Sequence, residues 1–84
     1  MANLLYFASL AEALGTKSET LALPADCKTV ANLVTLQRGR GEPFASAFDG
    51  STRILVAINQ QMSDLGAEIN DSDEIAFFPP VTGG

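Results

Sequence analysis

The sequence predicts an α+β fold in which a mixed sheet of four to five strands packs on one main helix. Strongly apolar segments lie near both ends of the chain, at residues 2–7 and 74–78, and the clearest helical periodicity lies between them. The chain has 84 residues, which is enough for one domain with a small core. Residues 1–84 are therefore expected to form a single domain whose last residues, 79–84, extend from it as a tail.

The N-terminal part is expected to supply two strands joined by a short helical turn. Residues 2–7 are apolar at almost every position, as in a central strand covered on both faces. Ser9 is a candidate cap for the helical turn, which Gly15 ends. Residues 18–23 form the second strand, and Pro24 ends it.

The main helix is expected over residues 29–37. Thr29 is its candidate N-cap, and Gly39 ends it. One helix face carries residues at spacings of three and four, namely Val30, Leu33, Val34 and Gln37.

The C-terminal half is expected to add a further helical turn and three strands. The turn covers residues 43–48, and the third strand covers 53–58. A brief edge strand follows over 60–62, and a polar turn over 70–73 leads into the last strand. The first and last strands are the most apolar and belong side by side in the centre, with the first two antiparallel. This arrangement best matches the β-grasp, or ubiquitin-like, architecture.

The alternation of side chains leaves an apolar set on the sheet face that the helix does not cover. The polar Asn3 suggests that odd positions of the first strand point away from the helix. The helix side then carries Leu4, Tyr6, Ile75 and Phe77, and the uncovered side carries Leu5, Phe7, Arg53, Leu55, Ala57, Ala76 and Phe78. An apolar patch of this kind marks an interaction site. Leu5, Phe7, Leu55 and Phe78 are therefore candidate partner-interface residues.

The composition excludes several kinds of chemistry. The chain has no His and one Cys, which excludes His-based catalysis, a disulfide within the chain and a Cys-cluster zinc site. Its net charge of −5 disfavours nucleic acid and anionic membranes, and favours a basic surface on a partner protein. The N-terminus lacks the positive region of a signal peptide, so a cytoplasmic location is expected. We expect no bound metal or cofactor.

Three local patterns suggest a functional site only weakly. Cys27 lies between Asp26 and Lys28 and is expected to be an ordinary thiol. The Arg-Gly-Arg-Gly run at 38–41 follows a helix instead of preceding one, so a solvated helix terminus is favoured over a phosphate loop. The acidic residues at 71–74 lack calcium-loop spacing and are explained by a turn.

The C-terminus has the chemistry of a thin, extended end. Pro79 and Pro80 favour a polyproline conformation, and the β-branched Val81 and Thr82 also favour extension. The final Gly83 and Gly84 carry no side chains. Such an end can enter a narrow channel in another protein and place its α-carboxylate at a buried reaction centre.

The chain resembles the MoaD-type small subunits of molybdopterin synthase, a family of β-grasp sulfur carriers. The segment at 73–84, Asp-Glu-Ile-Ala-Phe-Phe-Pro-Pro-Val-Thr-Gly-Gly, reads like the terminal signature of that family throughout. Weaker similarity lies at 6–16, at 55–60 and at Thr29, Val30 and Leu33, so the resemblance covers essentially the whole chain. Residues 37–51 carry no signature of the family.

This resemblance implies a sulfur carrier without an independent active site. An E1-like enzyme uses ATP to adenylate the Gly84 carboxylate, and a sulfur donor converts the product to a thiocarboxylate. The tail residues Pro80, Val81, Thr82 and Gly83 then enter the active site of the large subunit, in a heterotetramer. There the sulfur attacks cyclic pyranopterin monophosphate. The alternatives are a carrier of the same fold for thiamin thiazole or another product, and a non-covalent binding module with an incidental Gly-Gly.

Overall fold

Five strands form one mixed sheet in the order β2-β1-β5-β3-β4 in the computed structural model, which describes residues 1–51 and 53–80. The strands are β1 (Ala2–Tyr6), β2 (Ser18–Leu21), β3 (Leu55–Ile58), β4 (Gln61–Ser63) and β5 (Glu74–Phe78). β1 and β5 are parallel neighbours in the centre, and the other neighbouring pairs are antiparallel. The predicted mixed sheet, its central pair and the antiparallel first two strands are confirmed.

In the part of the chain that the structure describes, three helices accompany the sheet: α1 (Ala8–Leu14), α2 (Val30–Arg38) and α3 (Phe44–Ala47). Thr29 caps α2, as predicted, because its hydroxyl oxygen accepts a hydrogen bond from the Asn32 amide at 3.2 Å. The Asn32 side chain accepts one from the Thr29 amide in return. None of the helices within the described residues is long and apolar enough to cross a bilayer.

The core lies between one face of the sheet and α2. Leu4, Tyr6, Ile75 and Phe77 are buried on this side, which confirms the predicted helix-facing set. Phe48, which follows α3, is also buried and meets the Phe77 ring edge to face at 5.2 Å. Burial of each large apolar side chain stabilises the fold by ~1.5–3 kcal/mol.

Several element boundaries differ from the sequence prediction by one or two residues. α1 begins at Ala8 and is capped by the backbone of Phe7, so the proposed cap at Ser9 is wrong. The Phe7 carbonyl accepts hydrogen bonds from the Leu10 and Ala11 amides, and the chain therefore turns directly from strand into helix. β2 ends at Leu21 because the Leu23 amide donates instead to the Asp71 carboxylate at 2.8 Å.

A further difference concerns the start of β3, which lies at Leu55 instead of 53. β3 and β4 are joined by a tight turn at Asn59 and Gln60, which have φ angles of +50° and +69°. Asn59 is held by the start of β5: its backbone amide donates to the Glu74 carbonyl, and its side-chain oxygen accepts from the Glu74 amide.

Candidate functional site

The open face, defined here as the sheet surface opposite α2, brings together the predicted interface residues. Direct cross-strand partners share a face of a sheet, and Ala76 of β5 lies opposite both Leu5 and Ala57. Phe78 lies opposite Leu55 in the same way. The predicted open-face set is therefore placed on one surface, apart from Arg53. That residue lies outside β3, so strand alternation does not assign it to this face.

Phe7 is the most exposed of the four candidate interface side chains, with 49% of its surface accessible. Leu5, Leu55 and Phe78 are half-buried. The Phe7 and Phe78 rings meet edge to face with centroids 6.4 Å apart. Two adjacent aromatic rings thus stand at the end of the central strand pair, an arrangement suited to contacting an apolar surface of a partner.

Met62 extends the open face and was missed by the sequence analysis. It lies directly opposite Ala57, which places it on the same side as Leu5 and Ala76, and it is 62% exposed. Alternation along β4 could have indicated this, but the strand has three residues and its register depends on the turn before it. A flexible thioether at the rim of an apolar surface is typical of adaptable binding sites.

The chain leaves the sheet at the same end as the two aromatic rings. β5 ends at Phe78, and the half-buried Pro79 and Pro80 follow it. The Phe7 amide donates a hydrogen bond to the Phe77 carbonyl at 3.1 Å, which ties Phe7 to this end of β5. The predicted tail residues Val81, Thr82, Gly83 and Gly84 lie outside the described residues.

A polar network supports β1 from the opposite side. The Tyr6 hydroxyl donates to a Glu19 carboxylate oxygen at 2.7 Å and accepts from the fully buried Gln37 amide nitrogen at 2.6 Å. Burial raises the pKa of Tyr6, and the hydrogen bond to Glu19 adds to this effect. The hydroxyl therefore stays protonated and continues to donate.

Arg40 completes this network. Its guanidinium donates to both Glu19 carboxylate oxygens at 2.8 and 3.0 Å, and to the Gln37 side-chain oxygen at 2.8 Å. It also lies 3.9 Å above the Phe44 ring centroid. The hydrogen bonds from Arg40 lower the pKa of Glu19. Residues 38–41 are all exposed, in agreement with the expected solvated terminus, and Arg40 in addition ties the segment after α2 to β2.

The weaker candidates acquire structural roles. Cys27 is buried, and desolvation followed by the nearby Asp26 charge raises the pKa of its thiol. Asp71 accepts from the Leu23 amide and pairs with the N-terminal ammonium. Asp73 accepts from Asn70 and Asn59 within the turn before β5. Residues 1–51 and 53–80 contain no group of three or more acidic or Cys ligands suited to a metal ion.

Comparisons with known proteins relate the whole chain to sulfur carriers. Residues 4–84 match the ThiS family. The chain is 38% identical to the molybdopterin synthase sulfur carrier subunit of Haemophilus influenzae and 37% identical to that of Escherichia coli K12. Each match covers 100% of both chains.

Solved structures agree on the fold. The crystal structure of SAMP1 from Haloferax volcanii matches with a TM-score of 0.75 and 27% identity, covering 99% of this chain and 98% of that one. A chain in the crystal structure of the Amycolatopsis orientalis BexX/CysO complex matches with a TM-score of 0.68, 22% identity and full coverage of both chains. The fold is the predicted ubiquitin-like β-grasp.

Proposed function

The chain belongs to the ThiS family, and we propose that it is the sulfur carrier subunit of a molybdopterin synthase. The observation that supports this proposal is the point at which the chain leaves the sheet. β5 ends at Phe78, whose ring meets the exposed Phe7 ring on the open face, and Pro79 and Pro80 follow directly. A partner that binds this face therefore lies next to the point where the chain leaves the sheet.

The reacting group is the α-carboxylate of Gly84. A carboxylate is a poor electrophile, so one of its oxygens first attacks the α-phosphorus of ATP and pyrophosphate leaves. Hydrosulfide, made available by the sulfur donor, then attacks the carbonyl carbon of the acyl-adenylate; AMP leaves and the proton on sulfur passes to solvent. The net change replaces one terminal oxygen by sulfur and produces a nucleophilic thiocarboxylate.

The carrier supplies the sulfur, and its partners supply the rest of the chemistry. The chain contains no His, and its buried Tyr6 and Cys27 have raised pKa values that suit neither for proton transfer at neutral pH. An E1-like enzyme provides the ATP site, a sulfurtransferase provides the sulfur, and the large synthase subunit provides the acid and base. The acceptor is cyclic pyranopterin monophosphate, and the carrier itself holds no cofactor.

Shape and charge both support docking through the open face. Leu5, Phe7, Leu55, Phe78 and Met62 offer an apolar centre, and the net charge of −5 favours encounter with a basic partner surface. Val81 and Thr82 favour an extended backbone and Gly83 has no side chain, so this sequence suits entry into a narrow channel after Pro80.

Intact mass spectrometry tests the proposal. The full chain is incubated with ATP, an E1-like activating enzyme and a sulfur donor. We expect a mass increase equal to the replacement of one oxygen by sulfur. Deleting Gly84 should abolish this increase while leaving the melting temperature unchanged, because the terminal residue adds nothing to the core.

A variant extended by one alanine after Gly84 is the matched control. It keeps a terminal carboxylate and the same charge but moves the carboxylate away from its place. Loss of the mass increase in this variant supports a role for the diglycine end. An unchanged mass for the natural chain, with an enzyme that is active on an established carrier, would overturn the proposal in favour of a binding module.

A further inference from the structure

A cavity of ≈ 430 Å³ lies on the helix side of the sheet, between α2 and the β3–β4 edge. Its lining includes the buried Val30, Phe48 and Val56, the half-buried Val34 and Ile54, and the exposed Leu65. The cavity exists because a helix is about 10 Å across, whereas five strands span about 19 Å. A single main helix therefore leaves apolar sheet surface uncovered at one edge.

Arginine side chains also line this cavity. Arg38 is held at its wall, because its Nε donates to the Phe48 carbonyl oxygen at 3.0 Å. Arg53 is exposed and lines the cavity from the segment before β3. Neither arginine has an ion-pair partner within 4.0 Å among residues 1–51 and 53–80. The Arg38 charge also interacts at longer range with the exposed Asp49 carboxylate, so Arg53 is the more available of the two to an anion.

The residues that line the cavity carry a charge opposite to that of the whole molecule, and the Asp49 carboxylate beside the lining residue Gly50 offsets part of it. The cavity lining contains two arginines and one carboxylate, Asp64, and so carries a charge of +1 in a chain whose net charge is −5. Asp64 lies near the start of α2, because the adjacent Leu65 carbonyl accepts from the Ala31 amide. Arg38 lies at the other end of that helix, about 12 Å away along its axis.

We propose that this cavity is a second docking site, which binds a short segment of a partner protein in which apolar side chains precede carboxylates. The apolar side chains fill the space beside Val34, Ile54 and Leu65, and the carboxylates pair with Arg38 and Arg53. The cavity runs along α2 for about 12 Å and is open to solvent, so its shape suits a peptide segment.

This proposal deepens the proposed carrier function, because the second site lies on the other side of the sheet from the open face. Among the described residues, Leu55 borders both surfaces. A partner bound at the cavity therefore leaves Phe7, Phe78 and Met62 accessible. The carrier can be held by one protein while its open face and tail engage another.

Peptide titration followed by NMR tests this inference. The full ¹⁵N-labelled chain is titrated with acetyl-Leu-Phe-Glu-Glu-amide. We expect saturable shifts of the amides lining the cavity, with a Kd below ~1 mM. Two matched probes, acetyl-Leu-Phe-Lys-Lys-amide and acetyl-Gly-Gly-Glu-Glu-amide, should each bind at least tenfold more weakly, since one reverses the charge and the other lacks the apolar anchor.

Matched variants separate the site from general charge effects. Arg53→Gln should weaken binding about fivefold or more, whereas Lys17→Gln removes an equal charge from an exposed residue outside the cavity and should leave the Kd unchanged. The proposal is overturned if no amides shift, if the lysine peptide binds equally well, if Arg53→Gln has no effect, or if the shifts map to the open face.

The sulfur-transfer proposal can fail independently of this one. Deletion of Gly84 should leave peptide binding unchanged, because neither Arg38 nor Arg53 takes part in the terminal chemistry. A chain that binds the peptide but gains no sulfur would refute the carrier function alone. A chain that gains sulfur but ignores the peptide would refute the second docking site alone.

Discussion

Gln60 adopts a backbone conformation that suits glycine. With Asn59 it forms the two-residue connection between β3 and β4, and both residues have positive φ angles, +50° for Asn59 and +69° for Gln60. Asparagine tolerates this region, whereas a side chain such as that of glutamine clashes with the following carbonyl. The sequence Asn-Gln therefore stabilises this turn less than Asn-Gly, the dipeptide that such turns favour.

We expect Gln60→Gly to raise the free energy of unfolding by about 0.5–1 kcal/mol, measured by urea denaturation. Gln60 is exposed, so no side-chain packing is lost. Gln61→Gly is a matched control, because it changes the same residue type one position later, inside β4. That substitution should lower the free energy of unfolding by about 0.5–1 kcal/mol. A change of the same sign in the two variants would contradict this account of the turn.

At the scale of elements, strand alternation predicted most residues of the open face. It failed where the register of a strand depends on the geometry of the turn before it. Leu5, Leu55 and Phe78 could be assigned from their strands because apolar and polar positions alternate clearly there. Met62 could not, because β4 is short and its register is determined by the conformations of Asn59 and Gln60. The start of β3 was misplaced for a related reason, since the local pattern of residues 53–58 contains no signal that pairing begins at Leu55.

The open face provides a prediction about these elements. Phe7→Asp should weaken binding to the proposed partner, a large synthase subunit, at least tenfold, by about 1.4 kcal/mol or more, in calorimetric titration. Phe7 is half exposed and its described aromatic contact is with Phe78, so stability should fall by no more than ~1.5 kcal/mol.

Ala31→Asp is the matched control for this variant. It adds the same charge at an exposed position in the first turn of α2, where a carboxylate is tolerated. It should leave binding unchanged. Equal losses of affinity in Phe7→Asp and Ala31→Asp would show that charge alone explains the effect, and unfolding of Phe7→Asp would show that the open face belongs to the core.

At the scale of the whole molecule, the sequence predicted that β1 and β5 are neighbours in the centre of the sheet. It did not predict the polar network beside them. The apolar segments at the two chain ends identify the central strands without knowledge of any contact. The hydrogen bonds of Tyr6, Glu19, Gln37 and Arg40 join residues up to 31 positions apart. No local pattern indicates such partners, because a tyrosine in a strand and an arginine after a helix fit many surroundings. The tail chemistry was readable because it depends on residue types alone.

This network makes the stability of the fold depend on pH. The hydrogen bonds from Arg40 hold the pKa of Glu19 below its usual value, and the pKa of Arg40 is raised in return. Glu19 titrates near its ordinary pKa of about 4.3 in the unfolded chain. The ion pair therefore contributes its full stabilisation above that pH, and the contribution is lost as the pH falls through the lower, folded-state pKa.

We therefore expect Glu19→Gln to be less stable than the natural chain at pH 7 and the difference to shrink steadily below about pH 4.3. Urea denaturation at intervals from pH 7 to about pH 3 measures this difference in free energy of unfolding. Glu12→Gln is the control, because it removes the same charge from an exposed residue of α1. Both variants shift the net charge from −5 to −4, so general electrostatics cancel between them. A difference for Glu19→Gln that stays constant across this range would show that the loss of stability does not depend on the Glu19 charge, and would overturn the ion-pair account.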